Sequence, residues 1–194
     1  MIAFLAGKFV YKNPTVVHVE ANGVGYEVNI SLNTYGHIQQ LTEGRLFTYL
    51  QVKEDSHTLY GFFDMAEKEM FIMLISVSGI GAATARMMLS NMLPGEIAKA
   101  IIQGNVKLLE SVKGIGRKTA ERLVLELKDK VGKHPLDSSK SFVKDNSFRQ
   151  DALDALIALG ISKSVAEYSV NKVLTEQPSE TQLEQVIKKA LKAI

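Results

Sequence analysis

The chain has 194 residues, 46% of them apolar, a formal net charge of +2 and no cysteine. This length suits two or three small domains, each with its own core. The lack of cysteine excludes a disulfide framework, a zinc ribbon and a thiol nucleophile. Charge is unevenly spread: residues 1–62 carry four Lys/Arg against five Asp/Glu, residues 63–133 eleven against eight, and residues 148–194 six against six. Positive charge therefore accumulates in the middle of the chain.

The N-terminal stretch Met1–Val10 is apolar but broken by Gly7 and Lys8, too short for a signal sequence or a membrane span, so a cytoplasmic protein is expected. Strands are predicted over Ile2–Lys12, Thr15–Glu20, Tyr26–Ile30, Leu46–Val52 and Leu59–Phe63, with turns at Asn13-Pro14, Asn22-Gly23 and Glu54–His57. A short helix is predicted over Leu32–Gln40. Periodicity alone gives a small barrel or sheet; the order of five strands with a helix after the third matches an OB-fold. Glu54 and Asp55 sit at the tip of the last hairpin. Acidic turns are common and often only solvated. A barrel that clasps single strands uses a basic, aromatic groove, whereas this one has net charge −1 and an acidic loop, which suggests shaping of DNA by repulsion.

From Met65 the apolar period becomes helical, and within this region the chain repeats itself. Val77-Ser78-Gly79-Ile80-Gly81-Ala82-Ala83-Thr84-Ala85 is echoed by Val112-Lys113-Gly114-Ile115-Gly116-Arg117-Lys118-Thr119-Ala120, 35 residues on (Gly79 to Gly114). A Gly-hydrophobic-Gly turn opening a helix presents unpaired backbone N–H groups and the positive end of the helix dipole to a phosphate, and its missing Cβ atoms allow close approach. The middle Ile can pin the turn to the core. Glycines serving only as helix caps are the alternative, and two matching copies favour phosphate. Helices are predicted over Thr84–Met92, from Pro94-Gly95 to about Gln103, over Val106–Val112 and over Arg117–Val131.

Residues 133–147, rich in Ser, Lys and Asp, read as a flexible linker between residues 64–132 and a last unit at 148–194. That unit is expected to hold three helices: Ala152–Leu159, Ser164–Leu174 and Thr181–Ala193. Apolar stripes are expected at Leu153, Leu156 and Ile157, and at Val165, Ala166, Val170 and Val173.

Competing chemistries fail on specific residues. Gly114–Thr119 is no Walker A loop, because Arg117 rather than glycine precedes Lys118 and no strand leads into it. His18, His37, His57 and His134 lack metal-ligand spacing, so no metal, cofactor or catalytic residue is assigned. A glycosylase–lyase would pair Lys118 with a carboxylate such as Asp137, but that residue lies in the linker, where nothing holds it to catalytic tolerance.

Several segments together resemble the RuvA family of Holliday-junction-binding proteins. They are Gly23-Val24-Gly25-Tyr26-Glu27-Val28, the Glu-Asp hairpin followed by Leu59-Tyr60-Gly61-Phe62, the two Gly-Ile-Gly turns with Thr119-Ala120-Glu121-Arg122-Leu123, and Ala158-Leu159-Gly160. The resemblance implies an α+β multidomain chain: an OB-fold barrel (1–63), a tandem helix-hairpin-helix domain (64–132), the linker, and a three-helix domain like ubiquitin-associated folds. It implies a non-catalytic subunit, a homotetramer or two tetramers sandwiching a four-way DNA junction, coupled to a hexameric RuvB-type ATPase and sharing the junction with a RuvC-type resolvase. Carried onto this chain, the backbone of Gly79, Gly81, Gly114 and Gly116 would hold phosphates, and Arg117, Lys118 and Arg122 would neutralise them. Glu54 and Asp55 would form a central acidic pin, and Leu156, Leu159, Ile161 and Leu191 would dock on the motor. Where the family often has Lys after the first Gly-h-Gly, this chain has Ala82-Ala83, so the first hairpin would rely on backbone donors and Arg86. A generic double-strand DNA adaptor for a repair nuclease is the competing function.

Overall fold

The computed structural model describes residues 1–133, 144–176 and 182–193. Residues 1–138 and 139–194 form two compact units.

The first unit begins with strands β1 (Phe4–Lys12), β2 (Val16–Ala21) and β3 (Val24–Ile30), helix α1 (Leu32–Ile38), and strands β4 (Glu43–Val52) and β5 (His57–Phe62). The strands close into a barrel in the order β1-β2-β3-β5-β4, the expected OB-type arrangement with its helix between the third and fourth strands. All pairings are antiparallel except the short β3–β5 seam, Asn29 opposite Tyr60 and Ile30 opposite Gly61. A register irregularity in β1 between Phe9 and Tyr11 accompanies its pairing with both β2 and β4. Alternating Val17, Val19, Val28, Ile30 and Leu46 fill the interior, and Ile38 of α1 joins them. Closure leaves no free sheet edge.

Helices α2 (Met65–Ile75), α3 (Ala82–Asn91), α4 (Pro94–Ile102), α5 (Val106–Glu110) and α6 (Arg117–Lys133) follow. Their starts are written locally. Asp64 Oδ1 accepts from Glu67 N, Glu96 Oε2 accepts from Leu93 N beside Pro94 at the first helical position, and Asn105 Oδ1 accepts from Leu108 N. Their core includes Phe71, Leu74, Met88, Ile97, Ile101, Leu109, Leu123 and Leu127, and Tyr60 and Phe62 of β5 extend it. Phe71 packs on both aromatic rings, at 5.1 and 4.9 Å.

Three polar ties lock barrel to helices. Glu67, fully buried, accepts from Thr34 Oγ1 at 2.6 Å and from Ser31 Oγ, the N-cap hydroxyl of α1. Thr34 Oγ1 in turn accepts from Phe63 N at 3.0 Å. Burial pushes the Glu67 carboxyl above its ordinary pKa, against the opposing pull of those two hydroxyls. Ser90 Oγ accepts from Leu32 N, and Arg86 donates to Thr15 O and to Asn29 Oδ1 at 2.7 Å.

The second unit packs α7 (Lys144–Ala158), α8 (Lys163–Glu176) and α9 (Leu183–Lys192) around Ala152, Leu153, Leu156, Ala166, Val170, Val173, Val186 and Ala190. Helix α7 starts inside the stretch read as linker, because its first turns carry no apolar period for pattern reading to detect. Residues 134–143 of that stretch, including His134 and Asp137, lie outside the described residues, as do residues 177–181. Two stripe assignments are corrected. Ile157 and Val165 are exposed, while Ser169 takes a buried place on α8, its hydroxyl without a hydrogen-bond partner among the described residues. No helix among the described residues is long and apolar enough to cross a membrane.

Candidate nucleic-acid interface

The two Gly-Ile-Gly segments fold into matching turns. In the first, Ile80 N donates to Val77 O at 3.1 Å, Gly79 has φ +95°, and Ala85 N donates to Gly81 O to begin α3. In the second, Ile115 N donates to Val112 O at 3.0 Å, Gly114 has φ +93°, and Ala120 N donates to Gly116 O to begin α6. The positive φ at the third turn position is what each first glycine supplies. Ile80 and Ile115 are buried and pin their turns, and Ala85 and Ala120 are wholly buried where the helices meet. Gly81 caps α3 at φ −85° with no side-chain hydrogen bond, so no side-chain cap claims the first-turn N–H groups. The second glycine of each turn is exposed, and a Cβ built there meets nothing within 4 Å.

The turns lie against each other. A Cβ on Gly114 would stand 3.9 Å from Thr84 Cγ2 of α3. Arg122 of α6 donates from Nη1 to Ser78 O in the first turn at 3.1 Å. The positive charge at the first hairpin is therefore lent by the helix of the second. Arg86, expected to serve there, is instead directed into the barrel seam at Thr15 and Asn29.

Arg117 and Lys118 are exposed at the start of α6. Arg117 Nε donates to Glu121 Oε1 at 2.9 Å, and Arg122 Nε stands 3.8 Å from Glu126 Oε1. These i,i+4 pairs were legible in the sequence as acids one helical turn after bases. The Arg122–Ser78 link was not, because the partners are 44 residues apart. Lys113, exposed in the turn itself, is a further cation that motif reading passed over.

Glu54 and Asp55 are exposed at the end of the β4–β5 hairpin, which Lys53 N closes by donating to Ser56 O at 2.8 Å. Asp55 accepts from Ser56 Oγ, and neither carboxylate joins an ion pair among the described residues. No group of three or more His, Cys, Asp or Glu side chains among the described residues is placed to hold a metal.

In the second unit, Leu159 (62% exposed) and Leu191 (41%) are on the surface, and Ile161 packs partly against the core. Leu156 is fully buried and cannot be a docking contact, because its position in the α7 stripe faces α8 and α9. Tyr168 and Ile157 are exposed apolar residues of this unit that the docking set omitted.

Comparison with known proteins places this geometry in a family. The family model for the RuvA N terminal domain matches residues 1–61, that for the SAM-like helix-hairpin-helix tandem residues 71–129, and that for the RuvA C-terminal domain residues 147–194. A Flavobacterium psychrophilum protein named Holliday junction branch migration complex subunit RuvA is 50% identical over 193 residues, covering 99% of each chain. Its namesakes from Cytophaga hutchinsonii and Geobacter sulfurreducens are 48% and 44% identical, each over at least 99% of both chains. With paired hairpins, an acidic-tipped barrel and full-length likeness in agreement, the chain belongs to the RuvA family.

Proposed function

We propose that this protein is the non-catalytic DNA-binding subunit of a branch-migration complex, recognising four-way junctions by structure rather than sequence. The observation that carries the reading is the pair of matched turns, Gly79–Gly81 and Gly114–Gly116, bridged by Arg122. Two helix N-termini side by side can grip two points on one DNA backbone, and contacts to phosphate carry no base information. That indifference suits a junction that must slide. Arg117, Lys118 and Arg122 supply the neutralising charge, and the first hairpin, lacking its own lysine, depends on Arg122.

In a homotetramer, four such modules would hold four arms on one face, with Glu54 and Asp55 of each copy converging at the crossover. Two tetramers would enclose the junction as an octamer. The carboxylates would repel phosphates of the separating strands and guide each toward its new partner. Each base pair broken in migration is replaced by one formed, so direction and speed come from a hexameric RuvB-type ATPase, and a RuvC-type resolvase acts on the same junction. On this reading the protein works in recombination and repair, in the cytoplasm. The exposed surface around Leu159, Ile161 and Leu191 is the candidate contact with the motor.

The test is a mobility shift of the full chain on a four-way junction and on linear duplex of the same sequence, with native mass determination of the complex. Preference for the junction in a fourfold complex is expected. Equal affinity for both DNAs would favour the generic duplex adaptor.

A further inference from the structure

Helix α6 carries two of its three leading basic residues already paired. Arg117 bonds Glu121 and Arg122 faces Glu126, each one turn along the helix, while Lys118 between them joins no ion pair among the described residues. Both pairs are open to solvent, the arginine side chains retaining 78% and 50% of their exposure. Glu110 of α5 borders the same shallow hollow as Arg117 and Glu121, together with Val106 and Lys107. Glu121, by hydrogen bond and charge, and then Glu110, by charge, strengthen the guanidinium's hold on its proton. Exposed pairs at this spacing add little to a helix. A face whose only task is to hold phosphate gains nothing from acids seated on its arginines.

We propose that Glu121 and Glu126 are built-in competitors of the DNA phosphate, each occupying its arginine until a phosphate displaces it and reclaiming the arginine when the phosphate leaves. This rests on the reading of the second hairpin as a phosphate grip. An exchange of carboxylate for phosphate keeps the guanidinium paired at every stage of a step along the backbone. The bound state is thereby weakened and the release hastened, which is what a sliding grip requires. Lys118, without a competitor, supplies holding charge.

The experiment measures equilibrium affinity, salt dependence and dissociation rate of the full chain on a four-way junction of fixed sequence. Glu121→Gln should tighten binding by about twofold per engaged copy and slow dissociation. Glu121→Asp keeps the charge but shortens the side chain, so it should tighten binding in the same direction. Asp129→Asn, on the same helix but in no ion pair among the described residues, should change binding less than Glu121→Gln. In an Arg117→Ala background the gain from Glu121→Gln should vanish. Equal gains from Glu121→Gln and Asp129→Asn with a silent Glu121→Asp would reduce the effect to net charge and overturn the proposal. So would an unchanged Glu121→Gln while Lys118→Ala and Arg117→Ala weaken binding. If those last two variants bind as tightly as the parent, the phosphate grip itself fails.

Discussion

Arg122 reaches across from α6 to the carbonyl of Ser78, 3.1 Å away, and so joins the second hairpin's helix to the first hairpin's turn. One side chain thus links the two turns, whose spacing the buried Ile80 and Ile115 share in setting, and brings charge to the one that lacks a lysine. Arg122→Ala is expected to weaken junction binding more than Lys118→Ala does. Lys118→Ala should lower affinity equally for all junction sequences and reduce the log–log salt slope by about 0.9 for each phosphate left without its cation. Arg122→Lys keeps charge but loses the planar fork and should recover only part of the affinity. Titrations at several salt concentrations provide the check, and equal effects of Arg122→Ala and Lys118→Ala would remove the bridging role.

The two glycines of the second turn should respond differently to a methyl group. Gly114 sits at φ +93°, so Gly114→Ala strains the backbone and should cost on the order of 1–2 kcal/mol of stability. Gly116 is outside the left-handed region and its Cβ position is empty, so Gly116→Ala should fold with near-parental stability. If the turn holds phosphate as proposed, the added methyl would stand in the phosphate's path, and junction affinity should fall. Urea denaturation beside junction titration separates the two effects. Full affinity in a folded Gly116→Ala protein would end the close-approach argument.

For the hairpin tip, Glu54→Gln with Asp55→Asn removes two carboxylates per copy that no ion pair engages among the described residues. Like charges 4 Å apart repel by about 1 kcal/mol even in water. Affinity should rise, preference for junction over duplex should relax, and substitution by Lys at both positions should trap the crossover and slow migration. Affinity for both DNAs and migration rate with the ATPase are the readouts. A turn that is merely solvated would leave all three unchanged.

Glu67 predicts a pH dependence of a definite sign. Its folded-state pKa is raised, chiefly by burial, so the native chain keeps the proton over a range where the unfolded chain has lost it. Stability from this group is complete below the unfolded-state pKa and declines as pH rises through the folded-state value. In Glu67→Gln the amide can still accept from one hydroxyl and donate to the other of Ser31 and Thr34, and that decline should disappear. Glu67→Ala removes the acceptor of both buried hydroxyl protons, leaving Ser31 and Thr34 only the N–H groups that donate to them, and should cost about 1–3 kcal/mol for each. Urea midpoints across roughly pH 4 to 8 test this. An unchanged slope in Glu67→Gln would place the titration elsewhere.

The sequence by itself determined the parts whose information is local. Period-2 and period-3.6 patterns located five strands and the helices, turn residues marked the breaks between them, and the repeated Val-x-Gly-Ile-Gly described two matching turns. Boundaries moved where polar residues share an element with no apolar period, as at the start of α7. Tertiary structure alone decided which charges stand where. It drew Arg86 into the barrel seam and sent Arg122 to Ser78. A long cationic side chain can reach several angstroms in any direction, and its partner is set by packing between elements tens of residues apart. No spacing along one strand or helix encodes that choice.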